Sequence, residues 1–297
     1  MSQTNLARLY TIALLAVLIY GATPVFTKIA TATADGITVG ALRAVVAAPL
    51  ALLVILLGRH RIPFRRDAIL LVLVSGLGGL VLFPVFFSWG VQHTTAGHAA
   101  AGTAFGAVMA GVISAIIDRR MPGWPWWIGI ATGTLGAILL IWEAIGIEVA
   151  GVSWQGDALV FLGMFMGVVG YIAGARLTRE IGSTSVTMWS VMVAVIALLP
   201  LVAFHSGPDT LRAIDGEGWL AILALGWGTT ILAYLLWNRA LADGGVAKIG
   251  ALQLLQPAVG ISLAPFLLGE PITLPLILAT GVILAGVVLV QRERSQA

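Results

Sequence analysis

The sequence predicts an all-α membrane protein in which ten transmembrane helices form two inverted five-helix repeats around a central cavity. Three observations predict it. Apolar runs of spanning length fill the chain, the basic residues gather on alternate connectors, and the second half repeats motifs of the first.

Of 297 residues, 59% are hydrophobic and 10% charged, and mean hydropathy is +1.02. Soluble domains usually carry roughly a quarter charged residues, so the main solvent of this chain is lipid. Crossing the hydrocarbon takes about 20 apolar residues at ~1.5 Å each. Ten such spans use nearly all of the chain and leave no soluble domain. Cysteine is absent, which excludes disulfides, thiolate catalysis and Cys-based metal sites.

Taken in order, the first run covers 9–30. It follows a segment with one positive charge, Arg8, and no small-residue cleavage site, so it reads as a retained helix and not a removed signal peptide. Ala34-Asp35-Gly36 turns the chain into 36–57, and Gly58 with Pro63 turns it into 68–92. Pro84 and Ser88, four apart, predict that this third helix is irregular. Runs at 97–117 and 125–142 flank Pro122-Gly123, completing the first half. The second half runs 156–175, 184–204, 217–241, 247–268 and 272–291, with turns at Gly207-Pro208, Asp243-Gly244-Gly245 and Gly269-Glu270-Pro271. In lipid every backbone polar group must be paired within its element, so these runs are helices; the alternation of a membrane β-barrel is absent.

Ten spans with the N-terminus inside place Arg8, Arg59, Arg61, Arg65, Arg66, Arg119, Arg120, Arg176, Arg179, Arg239, Lys248, Arg292 and Arg294 on one side. The other side has Lys28 and Arg212, and Arg43 falls within the second span. Cytoplasmic connectors are enriched in Lys and Arg, so both termini are expected in the cytoplasm. The pI near 9.7 therefore calls for no nucleic-acid partner.

At an offset of 151, Tyr20 meets Tyr171, Thr27-Lys28 meets Thr178-Arg179, and Pro49-Leu50 meets Pro200-Leu201. At 148, Trp89 meets Trp237 and Ala131-Thr132-Gly133 meets Ala279-Thr280-Gly281. These matches divide the chain into repeats at 1–146 and 147–297. Five spans per repeat inserts the second upside down, a transporter plan with the substrate near the midplane.

Residues Gly226 to Val290 resemble the second repeat of the EamA family of the drug/metabolite transporter superfamily. The resemblance is carried by Gly228-Thr229-Thr230, Trp237, Arg239-Ala240-Leu241, Leu255-Gln256-Pro257, Leu268-Gly269-Glu270-Pro271, Gly281 and Gly286. Tyr20-Gly21-Ala22, Lys28 and Arg43 carry it in the first half. There Asp118-Arg119-Arg120 replaces a Leu-Gly-Glu motif and Met109 stands where Pro is common, so the halves need not bind equivalently. Within the family the chain is most similar to bacterial aromatic amino-acid exporters. The resemblance implies a basket of helices around a central cavity, residence in the bacterial inner membrane, and export of amino acids, aromatic or apolar ones preferred. It carries no cofactor, and a monomer or weak dimer is expected.

Polar residues within spans are costly and are the natural site candidates. No Asp or Glu falls mid-span: Glu143, Asp157 and Glu217 lie at ends and Glu270 in a connector. Transport through an intramembrane carboxylate is therefore not expected, and movement down the substrate's own gradient is. His98 opens the fourth span, to meet a substrate carboxylate or the headgroups. Gln253 and Gln256 share one face of the ninth span, where Pro257 frees the carbonyl of Gln253; they either hold a zwitterion or join helices. Arg43 either recognises a substrate carboxylate or contacts carbonyls near a helix end. Tyr20, Phe83, Phe86, Phe105, Tyr171, Tyr234 and Trp237 are deep aromatic candidates for the cavity wall, against ordinary packing. Trp124, Trp126, Trp127, Trp154 and Trp219 flank spans and read as interfacial belts. No His cluster has metal-ligand spacing, and neither a P-loop nor a catalytic constellation is present. Export of drugs, nucleosides or other small metabolites is the alternative function, with phosphorylated substrates disfavoured by the single deep cation.

Overall fold

The computed structural model of the chain describes residues 3–58, 65–118, 123–146, 151–244, 249 and 251–294. Arg59, Arg61, Arg119, Arg120, Lys248, Pro63, Pro122, Gly245 and the 146/147 repeat boundary's second side lie outside the described residues. No strand occurs among the described residues.

Eight helices are long and apolar enough to cross a membrane: α1 (Ala7–Ala30), α2 (Gly36–Gly58), α3 (Arg66–Gln92), α4 (Ala96–Ile113), α5 (Trp124–Trp142), α6 (Trp154–Ile181), α7 (Ser183–Ala213) and α8 (Gly216–Gly244). Two shorter apolar helices follow, α9 (Leu255–Leu268) and α10 (Leu274–Leu289). The ninth run, expected from 247, becomes regular α-helix only at Leu255, after a 3₁₀ turn over Ala251–Leu254. The sixth and seventh run past their expected ends at 175 and 204. α6 stops only where Gly182 takes a left-handed φ of 81°, which a side chain would resist.

Three stretches are π-helical: Leu77–Leu82 in α3, Val202–Ser206 in α7 and Ala224–Ala233 in α8. In α3 the cause is Pro84, which has no N–H to donate and whose ring crowds the carbonyl of Leu80. α8 has no proline in its π stretch; there the Thr229 hydroxyl donates to the Leu225 carbonyl at 2.6 Å, competing with the helical ladder. α1 is itself broken at Ala22, with Pro24 in the first turn of its second part, Thr23–Ala30.

Helices from the two halves of the chain interleave. α1 packs on α8, α2 on α7, α3 on α6, α4 on α9 and α5 on α10. Lipid is as apolar as leucine, so helix association here rests on close van der Waals fit and interhelical hydrogen bonds. Glycine makes the fit possible at two seams. A Cβ on Gly170 of α6 would overlap the backbone of Gly78 and Gly79 of α3, and one on Gly286 of α10 would overlap the backbone of Gly129 and Gly133 of α5. Buried apolar residues, among them Leu42, Ala47, Met188, Val191, Ile222 and Leu225, join α2, α7 and α8.

Candidate functional site

A cavity of about 800 Å³, part of it continuous with the outside, lies among α1, α2, α3, α4, α6, α8 and the α9 region. Both π stretches of α3 and α8 reach it, with Gly79 and Leu80 on one side and Thr229 and Thr230 on the other. Phe83 and Phe87 follow on α3, and Tyr234 and Trp237 on α8. Tyr20 and Thr23 come from α1, Tyr171 and Met164 from α6, and Gln253 and Gln256 from the segment opening α9. The wall contains no Asp or Glu among the described residues.

Arg43 is the charged group of this wall, and its residue is 3% exposed. Its Nη2 donates to the Thr229 hydroxyl at 2.8 Å, and its guanidinium carbon lies 5.8 Å from the centroid of the Phe83 ring. Among the described residues, Nε and Nη1 have no partner. The hydroxyls of Thr23 and Thr230 and the indole N–H of Trp237 also lack one. Tyr234 is anchored instead: its hydroxyl lies 3.0 Å from that of Ser75, to which the Ser190 hydroxyl donates at 3.1 Å, tying α3, α7 and α8 together.

Polar bonds also gather where α1, α3 and α9 end and α2, α4 and α6 begin, here called the far end. The Lys28 ammonium donates to the carbonyls of Val91 at 3.1 Å and Thr94 at 2.5 Å. Glu270 accepts from the backbone N–H groups of Ala96 and Gly97, at 2.9 and 3.0 Å, and so caps α4 from the α9–α10 connector. In the first turn of α6, Asp157 accepts the Thr94 hydroxyl at 2.7 Å and lies 3.0 Å from Nδ1 of His98, with both side chains almost fully buried. Asp35 caps α2 through the Thr38 amide at 3.0 Å and meets His205 at 3.2 Å. Burial pushes the Asp35 carboxyl up, but the Thr38 hydroxyl and amide and the His205 ring outweigh it and hold the carboxyl below the usual range.

Of the candidates read from the sequence, the cavity wall brings together Tyr20, Arg43, Phe83, Tyr171, Tyr234, Trp237, Gln253 and Gln256. Phe86, His98 and Phe105 are not in it. Phe86 is turned about 100° from Phe87 on the helix, and Phe87, one turn beyond Phe83, takes the wall position. Phe105 stands edge-on to Phe161, centroids 5.3 Å apart, between α4 and α6. His98 is outside the cavity wall and 2% exposed, and Asp157 holds it at the far end. Arg43 bonds a hydroxyl of another helix and no carbonyl among the described residues. The wall residues missed by the sequence reading include Gly79 and Thr230. Each stands one helical turn before a named candidate, Gly79 before Phe83 and Thr230 before Tyr234, so helical spacing was the signal that could have found them, and the offset of 151 relates the two pairs.

Comparison with known proteins follows the same two halves. The EamA-like transporter family matches residues 8–142 and again 154–292. The chain is 30% identical over 256 residues to the uncharacterized transporter YdeK of Bacillus subtilis, covering 86% of this chain and 87% of that one. It is 28% identical to a probable terminal-alkyne amino-acid exporter of Streptantibioticus cattleyicolor, covering 78% of this chain and 76% of that protein. A probable amino-acid metabolite efflux pump of Salmonella typhimurium is 28% identical over 54% of each chain. A solved crystal structure shares the fold, with a TM-score of 0.65 at 19% identity over 98% of this chain and 99% of the other. With two matches spanning most of its length, this chain belongs to the EamA-like transporter family.

Proposed function

We propose that this chain is a secondary transporter that exports amino acids, aromatic and apolar ones preferred, across the bacterial cytoplasmic membrane by alternating access. The observation that carries the proposal is the cavity wall itself: aromatic rings, hydroxyls, amides and one guanidinium, drawn from both halves of the chain. Rings accommodate an apolar side chain, while hydroxyls, amides and the guanidinium suit the polar end of an amino acid. The names of two relatives, an amino-acid metabolite efflux pump and a terminal-alkyne amino-acid exporter, support the substrate class.

An inverted repeat is supported by the paired family matches, by the π stretches in both α3 and α8, and by the offset that relates wall residues across the cavity. The orientation follows from the basic connectors: the end bearing Arg65, Arg66, Arg176, Arg179 and Arg239 faces the cytoplasm. The far end then faces outward, and its buried polar bonds must open for substrate to leave. With no carboxylate on the wall, export follows the substrate's own gradient.

Proteoliposomes loaded with each of the twenty amino acids test this reading. Efflux of phenylalanine, tryptophan or leucine above that of protein-free vesicles is expected. Flux of none of the twenty removes amino acids as the cargo and favours the alternative, drugs, nucleosides or other small metabolites. Flux strictly dependent on an imposed pH gradient removes the gradient-driven mechanism alone.

A further inference from the structure

Resting on that reading, we infer that the chamber selects its substrate by a carboxylate that docks on Arg43, and that an α-amino group is not required for binding. Three observations carry this. First, two of the nitrogens that Arg43 presents, Nε and Nη1, are buried without a partner. A buried unpaired donor is costly, a charged one more so; each two-pronged edge of a guanidinium pairs Nη2 with Nε or with Nη1, so a carboxylate would take the second N–H of Nη2 together with one of the two unpaired nitrogens. Second, the fork is fixed from behind: Nη2 is engaged by Thr229, itself bonded to the Leu225 carbonyl, and the guanidinium lies by the Phe83 ring. The guanidinium is thus held in place, buried at the cavity wall.

Third, among the described residues the wall contains no carboxylate, so a substrate ammonium meets no counter-charge from them. The remaining unpartnered groups reinforce the bias. The indole N–H of Trp237 is a donor only, and the hydroxyls of Thr23 and Thr230 donate as readily as they accept. A wall of net charge +1 lined by spare donors takes a monoanion with an apolar body, meaning aryl or alkyl monocarboxylates as well as amino acids. It rejects amines that lack the carboxylate. A phosphate dianion would leave its second charge uncompensated.

The test uses purified protein in nanodiscs and three probes of one shape, titrated calorimetrically. L-Phenylalanine carries both groups, 3-phenylpropionate the carboxylate alone, and phenethylamine the ammonium alone. The expected result is that 3-phenylpropionate binds within about threefold of phenylalanine or more tightly, and phenethylamine at least tenfold more weakly than either. Arg43→Gln should erase the preference for the carboxylate probes. Arg43→Lys, which keeps the charge without the fork, should retain only part of it and shows whether a folded variant can be read if Arg43→Gln fails to fold. Phenethylamine binding as tightly as 3-phenylpropionate overturns the inference, as does binding of none of the three, or an Arg43→Gln protein that still prefers carboxylates. The two readings fail separately. Binding of 3-phenylpropionate with no amino-acid flux sinks amino-acid export alone, and amino-acid flux with equal binding of phenethylamine sinks the carboxylate rule alone.

Discussion

At the far end, the Asp157 side chain is 1% exposed and is bonded to both His98 and Thr94; at the opposite, basic end, Glu180 is 45% exposed and meets Arg65 at 2.8 Å. Lys28, Glu270 and Asp35 extend the far-end network across α1, α2, α4 and the α9–α10 connector. The ion pairs of the basic end, Arg65 with Asp67 and Glu180 and Arg239 with Asp243, all lie in contact with solvent. Water competes for exposed charges and screens them, so such pairs hold little. Buried partners cannot exchange one another for water, so each removal leaves an unpaired group. Among the described residues, the far end is therefore held in part by buried polar bonds, while the ion pairs of the basic end are exposed.

The deepest substitution should separate the ends most. Asp157→Leu leaves His98 and the Thr94 hydroxyl buried without their acceptor, and should cost on the order of 3 kcal/mol. Thermal unfolding in detergent, followed by tryptophan fluorescence, should show the largest fall in Tm of this series. A Tm within error of the parent would mean that the far end does not depend on its buried acid. Glu270→Ala comes next, since it uncaps two N–H groups of α4 and removes the anion nearest Lys28; about 1–2 kcal/mol is expected in the same assay.

Asp35→Asn is smaller, about 1 kcal/mol at neutral pH, and its pH dependence has a sign. The folded carboxyl titrates below its unfolded value, so its contribution is fully present above about 3.9 and fades as pH falls through the folded pKa. The gap in Tm between parent and variant should thus be constant at neutral pH and close at the acid end. A gap that widened on acidification would contradict the assignment. Arg65→Ala should produce no resolvable change in Tm, although it deletes two ion pairs at once. A loss as large as that of Glu270→Ala would erase the distinction between the ends.

Much of this architecture was written in the sequence, because lipid leaves few choices. Apolar runs of spanning length had to be helices, and Pro84 announced the irregular third one. The π stretch of α8 had no such sign, since it contains no proline and a threonine within a helical run does not by itself announce that its hydroxyl bonds the carbonyl four residues back. Asp157 was legible as a helix-end residue, and position along the chain does not report burial. It is buried because α6 starts beside His98, which starts α4 on the same side. For the cavity, the residue types were legible and their facing was not: Phe83 lines the wall, while Phe86, the other candidate read from the sequence on this helix, lies off it and Phe87 lines it instead.

Points where backbone meets backbone, one between α3 and α6 and one between α5 and α10, bear on how such a body moves. Where side chains interdigitate, one rod passes another only by climbing over each knob, and every rotamer on the way adds a barrier. Gly79 against Gly170 and Gly133 against Gly286 present backbone to backbone, with nothing protruding. At these two points the helices can pivot backbone on backbone, while the side chains that interlock along the rest of the seams, Phe83 against Gly167 and Val160 against Gly90 in one and Ile283 against Gly136 in the other, resist sliding along the shafts.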